Sequence, residues 1–76
     1  MKKVTPFSIG DKITWNWAGG IIIGQIEEVH FAPIEKIFKG SRIKRNGSVE
    51  KPAYLVKSEA GNIALKLHTE LSKISV

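Results

Sequence analysis

No segment of this chain holds a helical period long enough to bury one face of a helix, while turn signals recur every few residues. They fall at Gly10-Asp11, Ala18-Gly19-Gly20, Ala32-Pro33, Lys39-Gly40-Ser41, Asn46-Gly47-Ser48 and Ala60-Gly61. The intervals between them fit short strands and little else. From Asp11 to Trp17 the chain alternates, with Ile13, Trp15 and Trp17 on one face and Lys12, Thr14 and Asn16 on the other, the period of a half-buried strand. Two consecutive glycines then permit a tight reversal into a second strand that opens at Ile21. That strand does not keep a period of two. Gly24 is the expected site of a bulge or bend, and the spacing from Ile26 to Val29 also calls for an irregularity if both are to reach the core. Extended segments are expected at 34–39, 42–44, 53–59 and 62–67, the last two as a hairpin across Ala60-Gly61. The segment HTELSKI reads as one helical turn capped by Thr69, with Leu71 and Ile74 packing at the mouth of a barrel.

Five or six short strands in 76 residues describe an all-β protein, a small antiparallel SH3-like barrel. The five-stranded OB barrel is the runner-up, but it usually carries a helix where this chain has GSVEKP, which cannot form one. A chain of this length buries only about 60% of the surface its unfolded form exposes, so one small core must carry the fold. Residues 1–6 are expected to be a flexible tail and residues 7–76 one domain. With no cysteine there are no disulfides or cysteine-bound zinc. The absence of a signal-like start or of any stretch approaching a membrane span completes the expectation of a cytoplasmic protein with no membrane partner.

Charge is concentrated. From Lys36 to Lys51 six cations face the single carboxylate of Glu50, giving that window the +5 charge of the whole chain, while the remaining residues balance. A neutral body with one positive segment sets up a local field suited to an anionic partner. The candidate nucleic-acid contacts are therefore Lys39, Arg42, Lys44, Arg45 and Lys51, with Tyr54 able to stack on a base or seal the barrel end. The competing reading is a solvated, solubilising surface.

Trp15 and Trp17, with Phe31 or Tyr54, could build an aromatic cage for a methylated ammonium group, although in so small a core at least one tryptophan is expected to pack structurally. His30 and His68 have no cysteine partners and no ligand spacing, so no metal is expected. Glu27 and Glu28, adjacent on a strand, point to opposite faces and cannot flank one substrate. The serines sit in no nucleophile motif and no glycine loop is built to cradle phosphate. Neither a cofactor nor catalysis is expected.

The run GDKITWNWAGG, then GQIEEV, IKRNGSVEKPAY and GNIALKLHTEL, resembles the small Tudor-like domain of hypervirulence-associated proteins, from about Phe7 to Lys73. The resemblance implies an SH3-like, Tudor-like barrel with a binding role. Two departures from the pattern are Ala18, where glycine is expected, and the apolar HFAPIEKIF stretch. Parts of the chain are also distantly similar to the plasmid-encoded type II dihydrofolate reductases. The V-Q-I-Y run that lines the pore of those enzymes is absent, and Ile63-Ala64-Leu65-Lys66 stands in its place. The leading expectation is a non-catalytic module contacting a polyanion such as nucleic acid. The alternative is a peptide-binding or self-assembling module: Ile21-Ile22-Ile23 and HFAPIEKIF offer more apolar residues than one sheet face absorbs, which motivates weak homo-oligomerisation.

Overall fold

The computed structural model describes residues 4–74 and contains seven strands and one short 3₁₀ turn. The strands are β1 (Lys12–Trp17), β2 (Gly20–His30), β3 (Pro33–Phe38), β4 (Ser41–Asn46), β5 (Ala53–Ser58), β6 (Ile63–Leu67) and β7 (Ser72–Lys73). They form an antiparallel five-stranded sheet in the order β6-β5-β2-β1-β7 and a separate two-stranded ribbon, β3-β4. The all-β, Tudor-like architecture expected from the sequence is the one found. Of the expected tail 1–6, residues 1–3 lie outside the described residues, and 4–6 carry no regular secondary structure.

β5 is the centre of the packing. Every residue from Ala53 to Val56 is buried, so the strand reads as a continuous apolar run covered on both faces. On one face Tyr54 and Val56 join Ile13, Trp15, Ile26 and Leu71 in the main core. On the other, Leu55 pairs across from Leu65, and the β3-β4 ribbon covers that side, with β4 lying against β6. The half-buried Ile34, Phe38 and Ile43 form the ribbon's inner face. Each fully buried aliphatic side chain contributes on the order of 1.5–3 kcal/mol.

Gly24 is not the bulge. It pairs in register with Ile13 on one side and Ser58 on the other, and the register shift lies between Ile26 and Glu28, leaving Glu27 as the extra residue. The irregularity expected from the Ile26 to Val29 spacing is therefore present, further along the strand than the glycine. Gly24 instead makes room for a side chain, since the far edge of the Trp15 ring lies 2.9 Å from where a Cβ would be. A glycine here admits the indole to the sheet surface.

Thr69 does not cap a helix. The turn spans His68–Glu70; the His68 N–H donates to the Pro52 carbonyl at 2.9 Å, and Glu70 reaches back to accept the N–H of the preceding Leu67 on Oε1 at 2.8 Å. Leu71 then enters the core, and Ser72 and Lys73 pair with β1 as strand rather than helix.

Two hairpins turn on two residues with positive φ at both: Ala18 (49°) and Gly19 (81°), then Lys39 (50°) and Gly40 (79°). This is the mirror-type turn that matches strand twist and favours Asn-Gly. The left-handed conformation of Ala18 carries a steric cost of about 1 kcal/mol. Ala18→Asn is expected to raise stability by about 0.5–1 kcal/mol, read as a melting temperature about 3–6 °C higher for a domain of this size.

Candidate functional site

The ribbon separates the cations of the charged window. Cross-strand partners share a face, so Glu35 with Lys44 and Ile37 with Arg42 stand on its exposed side, while Ile34 with Arg45 and Lys36 with Ile43 face the body. Arg45 lies inside β4, not at the start of a turn, and points away from Arg42 and Lys44. Its Nε reaches Glu70 Oε1 at 3.6 Å. Lys36 Nζ sits 3.4 Å from Glu28 Oε1, and Arg42 Nε sits 2.7 Å from Glu35 Oε2. Glu28 also binds His30 at 2.7 Å, and the hydrogen bond from His30, with the charge of Lys36, holds its carboxyl below the ordinary carboxylate value. Half of the basic window is thus taken up by ion pairs that dock the ribbon or brace its face. Lys39 at the ribbon tip, Lys44 on the exposed face and Lys51 in the following loop make no ion pair among the described residues. Lys51 is held in a tight turn, its N–H donating to Ser48 Oγ at 3.0 Å while Ser48 N–H donates to its carbonyl.

Tyr54 belongs to the core and offers no exposed ring to stack on a base. Its hydroxyl accepts the Phe7 N–H at 3.1 Å and lies 2.8 Å from His68 Nδ1, while Phe7 stacks on the His68 ring at a centroid distance of 4.5 Å. With Nδ1 unprotonated, His68 can accept the hydroxyl proton of Tyr54, an arrangement open only to the neutral imidazole. Burial pushes the Tyr54 hydroxyl pKa up and the His68 pKa below the ordinary 6.5. The unfolded chain therefore takes up the proton first as pH falls. The stability that depends on His68 being buried in its neutral form is complete above pH 6.5 and is lost as pH drops through the folded-state value. In a series of urea titrations from about pH 8 down to 5, His68→Gln is expected to flatten that part of the profile. An unchanged slope would remove His68 as its source.

The four aromatic cage candidates do not converge. Trp15 is core, Tyr54 is fully buried, and Phe31 stands in the bend between β2 and β3, away from both tryptophans along β2. Trp17 has the same parity as Ile13 and Trp15, yet it lies at the end of β1 and is 66% exposed. It does share one feature with Trp15: a groove of about 510 Å³ at the open end of the sheet, between the β1-β2 and β5-β6 hairpins. Trp15, Ile22 and Ala64 form its inner side, and Glu59 and Lys66 stand on its rim. Ile21 (69% exposed), Ile23 and Ile63 also line it and give it most of its exposed aliphatic surface. The surplus of isoleucines is the only sign of this groove in the sequence; nothing there links β1 to Ser58–Ala60. The Phe7, Tyr54 and His68 cluster leaves no signal either, because its members are spread across the chain.

Among the described residues no group of three or more His, Cys, Asp or Glu side chains is placed to hold a metal ion. No helix is long and apolar enough to cross a membrane. No curated protein and no solved structure matches the chain. The family model described as hypervirulence associated proteins TUDOR domain matches residues 10–71, from the turn before β1 to the core leucine after the 3₁₀ turn. That span takes in the paired hairpins, the ribbon and the central strand, so the chain belongs to the hypervirulence-associated protein Tudor domain family and is a small binding module.

Proposed function

We propose that the chain binds a polyanion, nucleic acid foremost, through the exposed face and tip of the β3-β4 ribbon, without strong sequence preference. The observation that carries this reading is what remains of the basic 36–51 window once its ion pairs are made: Lys39, Lys44 and Lys51, on the ribbon and the loop that follows it, stand close in sequence, whereas the other lysines unpaired among the described residues, Lys12, Lys57 and Lys66, are spread over the five-stranded sheet. Arg42 shares the face of Lys44, and its guanidinium is braced by Glu35 rather than withdrawn into the body. A two-stranded ribbon is narrow enough to lie along a nucleic-acid groove, and lysines on it position the backbone without reading bases. With Tyr54 in the core, stacking plays no part.

Fluorescence anisotropy with labelled single- and double-stranded 20-mers tests the reading. About four phosphate contacts give a logarithmic salt slope of about −3 to −4 and an affinity in the micromolar range or weaker at physiological salt. Absence of salt-sensitive binding at protein concentrations of about 100 µM would end the proposal.

A further inference from the structure

We infer that the groove at the open end of the sheet is covered by a second copy of this chain, in a two-fold dimer in which Trp17 of each protomer fills the groove of the other. A two-fold interface joins one patch to itself, so that patch must carry both a projection and a recess. This one does. Trp17, 66% exposed at the end of β1, stands in the groove's own wall, and the recess continues past it to Trp15, Ile22 and Ala64. The residues that follow Trp17 are Ala18, Gly19 and Gly20, none of which has a side chain large enough to hold a partner away.

Charge supports the same occupant. The rim carries one anion, Glu59, and one cation, Lys66, and neither has an ion pair among the described residues. In the proposed dimer the two-fold axis crosses the groove so that Glu59 of each copy meets Lys66 of the other. The rim is neutral as a whole, which would give a strongly charged partner no long-range attraction. Ile21 and Ile63, which line the groove and are exposed, enlarge the apolar area that the second copy covers. Aromatic side chains bury about 150–250 Å² each, so two tryptophans and their isoleucine neighbours make a small, weak interface.

Sedimentation equilibrium from about 10 µM to about 1 mM reads this directly, because a dimer of about 100 µM dissociation constant is half formed within that range. The expected result is a monomer–dimer equilibrium weakened at least tenfold by Trp17→Ser, with far-ultraviolet circular dichroism unchanged because Trp17 is outside the core. Lys66→Glu and Glu59→Lys should each weaken the dimer, and the two together should restore it. A wild-type chain that stays monomeric to 1 mM overturns the inference. So does a dimer indifferent to Trp17→Ser, or a charge-exchanged double variant that associates no better than the single ones.

Discussion

Gly24→Val is expected to cost about 3 kcal/mol or more and to leave a chain of this size largely unfolded at 37 °C. Beside the position a Cβ would take lie the carbonyl of Lys57 and the far edge of the Trp15 ring, one of them backbone and the other locked in the core. Neither can swing aside as an exposed lysine tip would. Overpacking a well-filled core costs about 1–3 kcal/mol even where side chains can shift, and here the β2-β5 pairing must open as well. Domains of this kind hold only about 0.05–0.15 kcal/mol per residue in reserve, so the loss is a large fraction of the total. Thermal unfolding followed by tryptophan fluorescence should show the transition shifted far down or absent. A variant that melts within a few degrees of the native protein would mean that Trp15 does not lie on the β2 backbone as described.

Lys39→Glu with Lys44→Glu should weaken oligonucleotide binding by about 30- to 100-fold at 0.1 M salt and flatten the salt slope by about two. The matched control is Lys12→Glu with Lys57→Glu. Both double variants lower the formal net charge from +5 to +1, since two lysines become two glutamates. They differ in place: Lys12 and Lys57 lie on β1 and β5, across Gln25 of β2, on the five-stranded sheet rather than the ribbon. The control should lose no more than about threefold, the share of a general change in field. Equal losses in the two would show that net charge and not the ribbon governs association. Arg45 is left out of the test because reversing it would set two carboxylates together at Glu70 and disturb the docking of β4.

Alternation along β1, the glycine turns and the apolar run of β5 are legible because they are local: each is decided by residues within a strand or hairpin. Parity gives Trp17 its face correctly but cannot say where the covering layer stops, and the exposure of Trp17 depends on that edge. Tyr54 illustrates the same limit. Its position after Pro52 places it at a strand entry, but its partners, Phe7 and His68, come from opposite parts of the chain. The charge window is real as composition and incomplete as a field, because Glu28 and Glu70, which neutralise Lys36 and Arg45, lie outside it in sequence. Gly24 looks like a bend in the sequence because a glycine in a strand has two common uses, and only the Trp15 ring overhead decides between them.

The pairing of β1 with β7 has a consequence for the order in which the sheet comes apart. Ile13 pairs with Lys73 and Thr14 with Ser72, and the Ile74 N–H reaches the Lys12 carbonyl at 3.0 Å, so an early and a late segment meet in a seam only two register pairs long. Closing that seam loops out nearly the entire domain, whereas the β5-β6 hairpin closes across a few residues. β5-β6 should therefore form early and the seam last. The amides of Tyr54 to Val56, in a strand flanked by β2 and β6, should exchange only through global unfolding, and those of β7 through local release. Each release bares the outer edge of β1, a row of unpaired donors and acceptors of the kind that recruits another chain's strand. The shortest strand among the described residues is thus the one that keeps this edge of the sheet covered.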